Sequence, residues 1–208
     1  MTTHLADVIS IAARAQQSAM TPEQLAEEAR LDERRHRAVS LSLANPPIRP
    51  EDKHAIVFGA LKETPWLSAV RTWHIGRKSV LLLSGSVGGG KTVAACWAMA
   101  GDGGLCVSAP DLARISTDFD RAEWRRLAAA RLLVVDDMGT EQHADKFSGA
   151  LTQLLSERAA HGGRTILTSN LTPKALSARY PDERLWSRIA QSRDVVALSG
   201  ADLRRGGE

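Results

Sequence analysis

Apolar residues recur at helical spacing at Leu5, Val8, Ile9 and Ala12, which predicts an amphipathic helix at the start of the chain. Thr21-Pro22-Glu23-Gln24 predicts a second helix start. Thr21 caps, Pro22 suits the first helical position, and Gln24 reaches back to the cap. That helix runs into mixed charges over residues 27–37, the pattern of a solvated helix face. The pattern breaks at Asn45-Pro46-Pro47-Ile48-Arg49-Pro50, where a linker is expected. Residues 1–45 are too few to bury a core alone, so they dock on the main domain or fold on a partner. The chain is therefore expected to divide into a helical extension, 1–45, and a main domain, 46–208.

Past the linker, Trp66, Ala69, Val70 and Trp73 make a second helical stripe, which Gly76 ends. The period then changes. Val80-Leu81-Leu82-Leu83 is apolar throughout and is followed by glycines, as in a strand buried on both faces of a parallel sheet. Leu105-Cys106-Val107-Ser108, Leu132-Leu133-Val134-Val135, Thr165-Ile166-Leu167-Thr168 and Val195-Val196-Ala197-Leu198 predict four more strands. Helical patterns lie between them, notably over residues 147–161, which Gly162-Gly163 terminates. Strands alternating with helices define a doubly wound α/β fold with a parallel sheet.

A chain of 208 residues suits one such domain with a short appendage. Hydrophobic residues make up 43% and charged residues 25%, which is ordinary for a soluble globular protein. The net charge of +3 and pI near 9.1 are compatible with nucleic acid without demanding it. Cys96 and Cys106 lack metal-ligand spacing and read as buried thiols. The six histidines are scattered, so no zinc site is expected. No apolar run is long enough to cross a membrane, and residues 1–20 lack the pattern of a secretory signal. A reducing, cytoplasmic setting is the expectation.

The first strand leads straight into Gly85-Ser86-Val87-Gly88-Gly89-Gly90-Lys91-Thr92, which matches the phosphate-binding P-loop. Glycines let the backbone curl so that successive N–H groups converge on phosphate, and the following helix adds its positive end. Lys91 reaches the β- and γ-phosphates of ATP, and the Thr92 hydroxyl ligates Mg²⁺. The third strand ends in Asp136-Asp137. A carboxylate after four apolar residues is costly to bury without a partner, and Mg²⁺ held by Thr92 supplies one to Asp136. Asp137 is either a plain strand-end carboxylate or a base that polarises the attacking water. Asn170, ending Thr168-Ser169-Asn170, is either a turn residue or a group that orients the same water. Arg184 and Arg188 are either solvated charges near a helix end or fingers reaching a neighbouring subunit's ATP.

Four stretches together resemble a known group: residues 83–92, Leu133-Val134-Val135-Asp136-Asp137-Met138-Gly139-Thr140-Glu141, residues 165–172, and Glu183-Arg184-Leu185-Trp186-Ser187-Arg188-Ile189. The group is that of the DnaC-type replicative helicase loaders and the similar IstB-type transposition helpers, both AAA+ ATPases. The resemblance covers roughly residues 66–204. It implies an AAA+ P-loop fold, a three-layer sandwich whose first strand is central. It also implies that Asn170 is the sensor residue, and that Arg188, ahead of Arg184, is the arginine finger acting in trans between copies. Many AAA+ proteins carry Glu where Asp137 stands, although this group uses Asp-Asp. After the last strand there is no room for the helical lid of many AAA+ proteins, and Arg204 or Arg205 would have to stand in for its arginine.

The resemblance implies a Mg²⁺-dependent ATPase, weak in isolation, that loads a replicative DNA helicase onto single-stranded DNA. Residues 1–45 would grip the helicase, and Arg114, Arg121, Arg125 and Arg126 would line a strand-binding groove. Asp111, Asp118, Asp120 and Glu123 dilute that patch, so an ordinary surface helix is the competing reading. Two further functions compete. One is an IstB-like helper binding DNA and a transposase; the other is a nucleotide-gated adaptor with little hydrolysis. A small-molecule kinase ranks last, for want of an acceptor pocket or lid.

Overall fold

In the computed structural model the described residues are Thr21, Leu43, 46–76, 78–191 and the backbone of 194–198. The expected N-terminal helices, Arg204 and Arg205 lie outside them. The chain divides into two compact units, Met1–Ala38 and Val39–Glu208. Only Thr21 of the first is described.

The first described helix of the second unit starts where the sequence pattern shows a break. Helix α1, Pro50–Val57, starts at the last proline of the expected linker. Proline at a first helical position sacrifices no hydrogen bond, and Glu51 and Asp52 complement the positive end of the helix. Helix α2, Pro65–Ile75, follows. Thr64 caps it by accepting a 3.0 Å hydrogen bond from the Leu67 amide. Of the expected stripe, Trp66, Val70 and Trp73 are buried and Ala69 is half-buried, and Gly76 follows the last turn.

Strands β1 (Val80–Gly85), β2 (Leu105–Ser108), β3 (Leu132–Met138), β4 (Arg164–Ser169) and β5 (Asp194–Leu198) form one sheet in the order β2-β3-β4-β1-β5. All four pairings are parallel. The strand before the glycine loop, β1, has a neighbour on each side, but the middle position expected for it belongs to β4. Helices α3 (Lys91–Asp102), α4 (Ala109–Thr117), α5 (Arg121–Ala129), α6 (Ala144–Ala160), α7 (Pro173–Arg179) and α8 (Glu183–Gln191) fill the crossovers. Alternate strand residues face opposite ways and build two cores. Leu81, Leu83, Val134 and Ile166 pack with α2 and α3 through Trp73 and Met99. Leu82, Leu133, Val135 and Leu167 pack with α4, α6 and α8 through Leu112, Leu154 and Leu185. The result is helix–sheet–helix in three layers, and the apolar strands are those of a sheet covered on both faces.

Arg158 closes the end of the sheet remote from the glycine loop. Its side chain is buried, with Nε donating to Thr165 Oγ1 at 2.9 Å. Nη1 donates to the carbonyls of Leu127, Ala128 and Ala130 at 2.6, 3.3 and 2.8 Å, and Nη2 to that of Arg164. Burial pushes this guanidinium down to about 10. Both cysteines are free thiols. Cys96 is buried as expected, but Cys106, on β2 at the edge of the sheet formed by the described strands, is only half-buried. Among the described residues no helix is long and apolar enough to cross a membrane.

Candidate nucleotide-binding site

The loop from β1 to α3 is shaped by three successive glycines with two different duties. Gly88 and Gly90 have φ of 80° and 88°, in the left-handed region that a side chain disfavours, and Gly90 caps α3. Gly89 is required by a neighbour: a Cβ there would stand 2.6 Å from Trp66 Nε1. Trp66, brought in by α2, thus forms a seat under the loop. Lys91 is 5% exposed, and its ammonium lies 5.5 Å from the centroid of the same ring. It donates to the carbonyls of Gly85 at 3.0 Å and Ser86 at 2.7 Å. Ser86 and Val87 are exposed at the tip of the loop. Trp66 is in the core, as its stripe predicts, and also seats the loop; no local signal in the sequence marks that second role.

The carboxylate pair is positioned by an irregularity in the sheet. Strands β3 and β4 run in register to Val135 opposite Leu167, and pairing resumes with Met138 opposite Ser169. Asp136 and Asp137 therefore face the single residue Thr168, which is a β-bulge. Asp137 absorbs it with φ of 57°. Consecutive residues of a regular strand point to opposite faces, and the bulge breaks that alternation. Thr168 fills the gap with one hydroxyl, which donates to Asp136 Oδ1 at 2.5 Å and accepts from the Asp137 amide at 3.0 Å. Thr92 Oγ1 also donates to Asp136 Oδ1, at 2.9 Å. Asn170 Nδ2 donates to Asp137 Oδ1 at 3.0 Å. Five expected residues, Lys91, Thr92, Asp136, Asp137 and Asn170, are thus gathered at the carboxyl end of the sheet. Thr168 is the member that sequence reasoning missed. Its available signal was a hydroxyl two residues before Asn170, in a strand that also carries Thr165 and Ser169.

Asp136 is 2% exposed. Burial raises its pKa above the usual carboxylate range. Hydrogen bonds from Thr168 and Thr92 pull it back, Asp137 pushes it up, and Lys91 pulls it down, leaving a net rise.

The other candidates lie elsewhere. Helix α8 sends Leu185 and Ile189 into the core and leaves Arg184 and Arg188 on its exposed side. Of the four arginines expected to line a groove, two are engaged by carboxylates of their own segment. Arg126 makes a forked pair with Glu123 at 2.8 and 2.7 Å, and Arg114 lies 3.7 Å from Asp111 and 3.6 Å from Asp118.

A five-stranded parallel sheet with the P-loop motif after β1 and an acidic pair near the end of β3 has the α/β arrangement of a P-loop nucleotide-binding fold. Its fold is shared by proteins of bacterial replication initiation. A Streptococcus pyogenes serotype M3 protein proposed as a primosome component matches with a TM-score of 0.57 at 18% identity, over 79% of this chain and 96% of that one. The DnaC helicase loader matches with a TM-score of 0.51 at 17% identity, over 78% of this chain and 99% of that one. The replication initiator DnaA, bound to AMPPCP and single-stranded DNA, matches with a TM-score of 0.57 at 18% identity, over 74% of this chain and 52% of that one. At these identities the likeness is one of fold. No family model and no curated protein matches the chain.

Proposed function

We propose that this chain is a Mg²⁺-dependent AAA+ ATPase that loads or delivers a replicative DNA helicase onto single-stranded DNA. The observation that carries the reading is the 2.9 Å contact of Thr92 with Asp136, which joins the glycine loop to the acidic end of β3. Backbone N–H groups of residues 85–92 cradle the phosphates, and Lys91 leaves its loop carbonyls for the β- and γ-phosphates. The donor set fits Mg²⁺: Thr92 and Asp136 offer hard oxygens, and a buried carboxylate whose hydrogen-bond donors include two hydroxyls favours a cation. When bound, Mg²⁺ neutralises phosphate charge. Asp137, oriented by Asn170, polarises the attacking water. Arg188 of one copy serves the nucleotide of the next, and residues 1–45 bind the helicase. The likeness to the DnaC helicase loader, and to DnaA bound to single-stranded DNA, supports the choice of partner class.

The test is ATP turnover of two variants, alone and mixed. Lys91→Ala is inactive for want of phosphate contact. Arg188→Ala binds ATP normally and turns it over slowly, since an arginine finger is worth on the order of 10³ or more in rate. The mixture regains activity, because Arg188 of the first serves the intact loop of the second. Parent-like turnover by Arg188→Ala moves the finger to Arg184. Absence of turnover in the parent, with DNA and helicase present, favours the adaptor reading, and capture of a transposase in place of a helicase favours the IstB-like one.

A further inference from the structure

The run from Asp136 to Glu141 ends in a carboxylate that the proposed hydrolysis does not use. The Glu141 side chain is 0% exposed. Three groups donate to it: the Gly139 amide at 3.0 Å, Arg179 Nε at 3.0 Å and the Tyr180 hydroxyl at 2.7 Å. Arg179 also donates to the Glu141 carbonyl. A buried charge is retained in a fold only with such partners.

These partners add a hydrogen-bonded link between two regions that also share the apolar core of Met138, Tyr180, Leu185 and Ile189. Gly139 lies two residues beyond Asp137, with φ of 103°, and a Cβ on it would stand 2.6 Å from Leu171 Cδ1, so the loop has little room to rearrange. Arg179 and Tyr180 close α7. The Tyr180 carbonyl accepts from Trp186 Nε1 at 2.7 Å, and Trp186 belongs to α8, between Arg184 and Arg188. A chain of hydrogen bonds therefore runs from the β3 loop through Glu141 and Tyr180 to the helix that carries Arg188. The β3 end of this chain is independently held, by Thr168 on Asp136 and by Ser169 Oγ donating to the Met138 carbonyl at 2.6 Å. Cutting the chain at Glu141 thus frees the α8 end more than the bulge.

We propose that Glu141 is a positioning residue: with Tyr180 it sets α8 against the rigid end of β3, so that Arg188 is presented to the nucleotide of the neighbouring copy. The proposal rests on the reading of Arg188 as acting in trans.

The test uses the full chain and mixed assemblies. The Lys91→Ala copy is the donor of Arg188, and the Arg188→Ala copy is the receiver. Glu141→Gln, which keeps the shape but turns one acceptor oxygen into an NH2 donor, and Tyr180→Phe, which removes one hydroxyl, are placed in either copy. Each variant is first checked for parent-like melting and, with Lys91 present, for parent-like binding of a fluorescent ATP analogue. In the donor, Tyr180→Phe or Glu141→Gln lowers the rescued turnover by about fivefold or more, with KM for ATP unchanged, a size typical of residues that carry coupling without touching ligand. In the receiver the same changes leave rescue within about twofold. Equal losses in donor and receiver, or no loss in the donor, overturn the positioning role while leaving the trans reading intact. No rescue by the unmodified pair overturns both.

Discussion

Thr168→Val is the sharpest probe of the bulge, because it preserves shape and removes one oxygen. That oxygen carries two bonds: a 2.5 Å donation to Asp136 and a 3.0 Å acceptance from the Asp137 amide. Loss of a hydrogen bond to a charged group costs about 1.5–3 kcal/mol, and a buried amide left unpaired about 1–3 kcal/mol. Partial relaxation and the added methyl offset some of this, so the expected loss is about 2–4 kcal/mol. Against a total stability of about 5–15 kcal/mol, the variant still folds. Thr168→Ser keeps the hydroxyl and loses one methyl, at about 0.8 kcal/mol. The assay is urea denaturation of parent, Thr168→Val, Thr168→Ser and Asp136→Asn, plus the Thr168→Val/Asp136→Asn double variant, without Mg²⁺ or nucleotide. Asp136→Asn lessens the dependence on Thr168, so the double variant loses less than the sum of the singles. A cost below about 0.5 kcal/mol for Thr168→Val, the scale of an ordinary surface substitution, would refute the assignment of both bonds to this hydroxyl.

Three further outcomes are expected. Gly89→Ala drives a methyl into Trp66 and impairs nucleotide binding, and Trp66→Phe, by removing the pyrrole edge, restores part of it; equilibrium binding of a fluorescent ATP analogue to the single and double variants checks this. Arg158→Met strands five acceptors at the far end of the sheet and costs about 3 kcal/mol or more, the upper end of single-substitution effects, read from urea denaturation. The pKa of Asp136 is raised in the fold, so without metal the folded state binds more protons than the unfolded one, and this group's contribution to stability falls as pH rises from its ordinary value of 3.8 through the raised one. Asp136→Asn therefore stabilises the metal-free protein near neutrality, an advantage that vanishes on acidification to about pH 4, while an advantage constant with pH would contradict the raised value.

The sheet was legible because its strands are covered on both faces. Runs such as residues 80–83 and 132–135 are apolar without alternation, and helical periodicity between them leaves few alternatives. The glycine loop was legible because phosphate binding constrains neighbours in sequence. What escaped depends on pairs distant along the chain. The bulge is a property of β3 against β4, invisible in either strand alone. The contact of Trp66 with Gly89 and that of Glu141 with Tyr180 cross from one element to another. Pro46-Pro47 reads as a break, and Pro50 starts a helix, because the same ring that interrupts a helix suits its first turn. Arg158 sits in the last turn of α6, where an arginine ordinarily meets water and the helix dipole; here unpaired carbonyls from α5 draw it inward.

The left-handed backbone at residue 137 also governs which acid can stand there. Short polar side chains such as Asp and Asn tolerate φ near +57°, whereas the conformation costs longer L-residues roughly 1–2 kcal/mol. Glutamate, the commoner choice in AAA+ proteins, would add a methylene at the position where the main chain is least able to accept it. Aspartate is thus the acid that suits this backbone, and the reach of its carboxylate is set by where the extra residue of the bulge places Cα. Exchanging the two acids at this position would change length and strain together, so a substitution meant to adjust reach alone has to move the main chain as well.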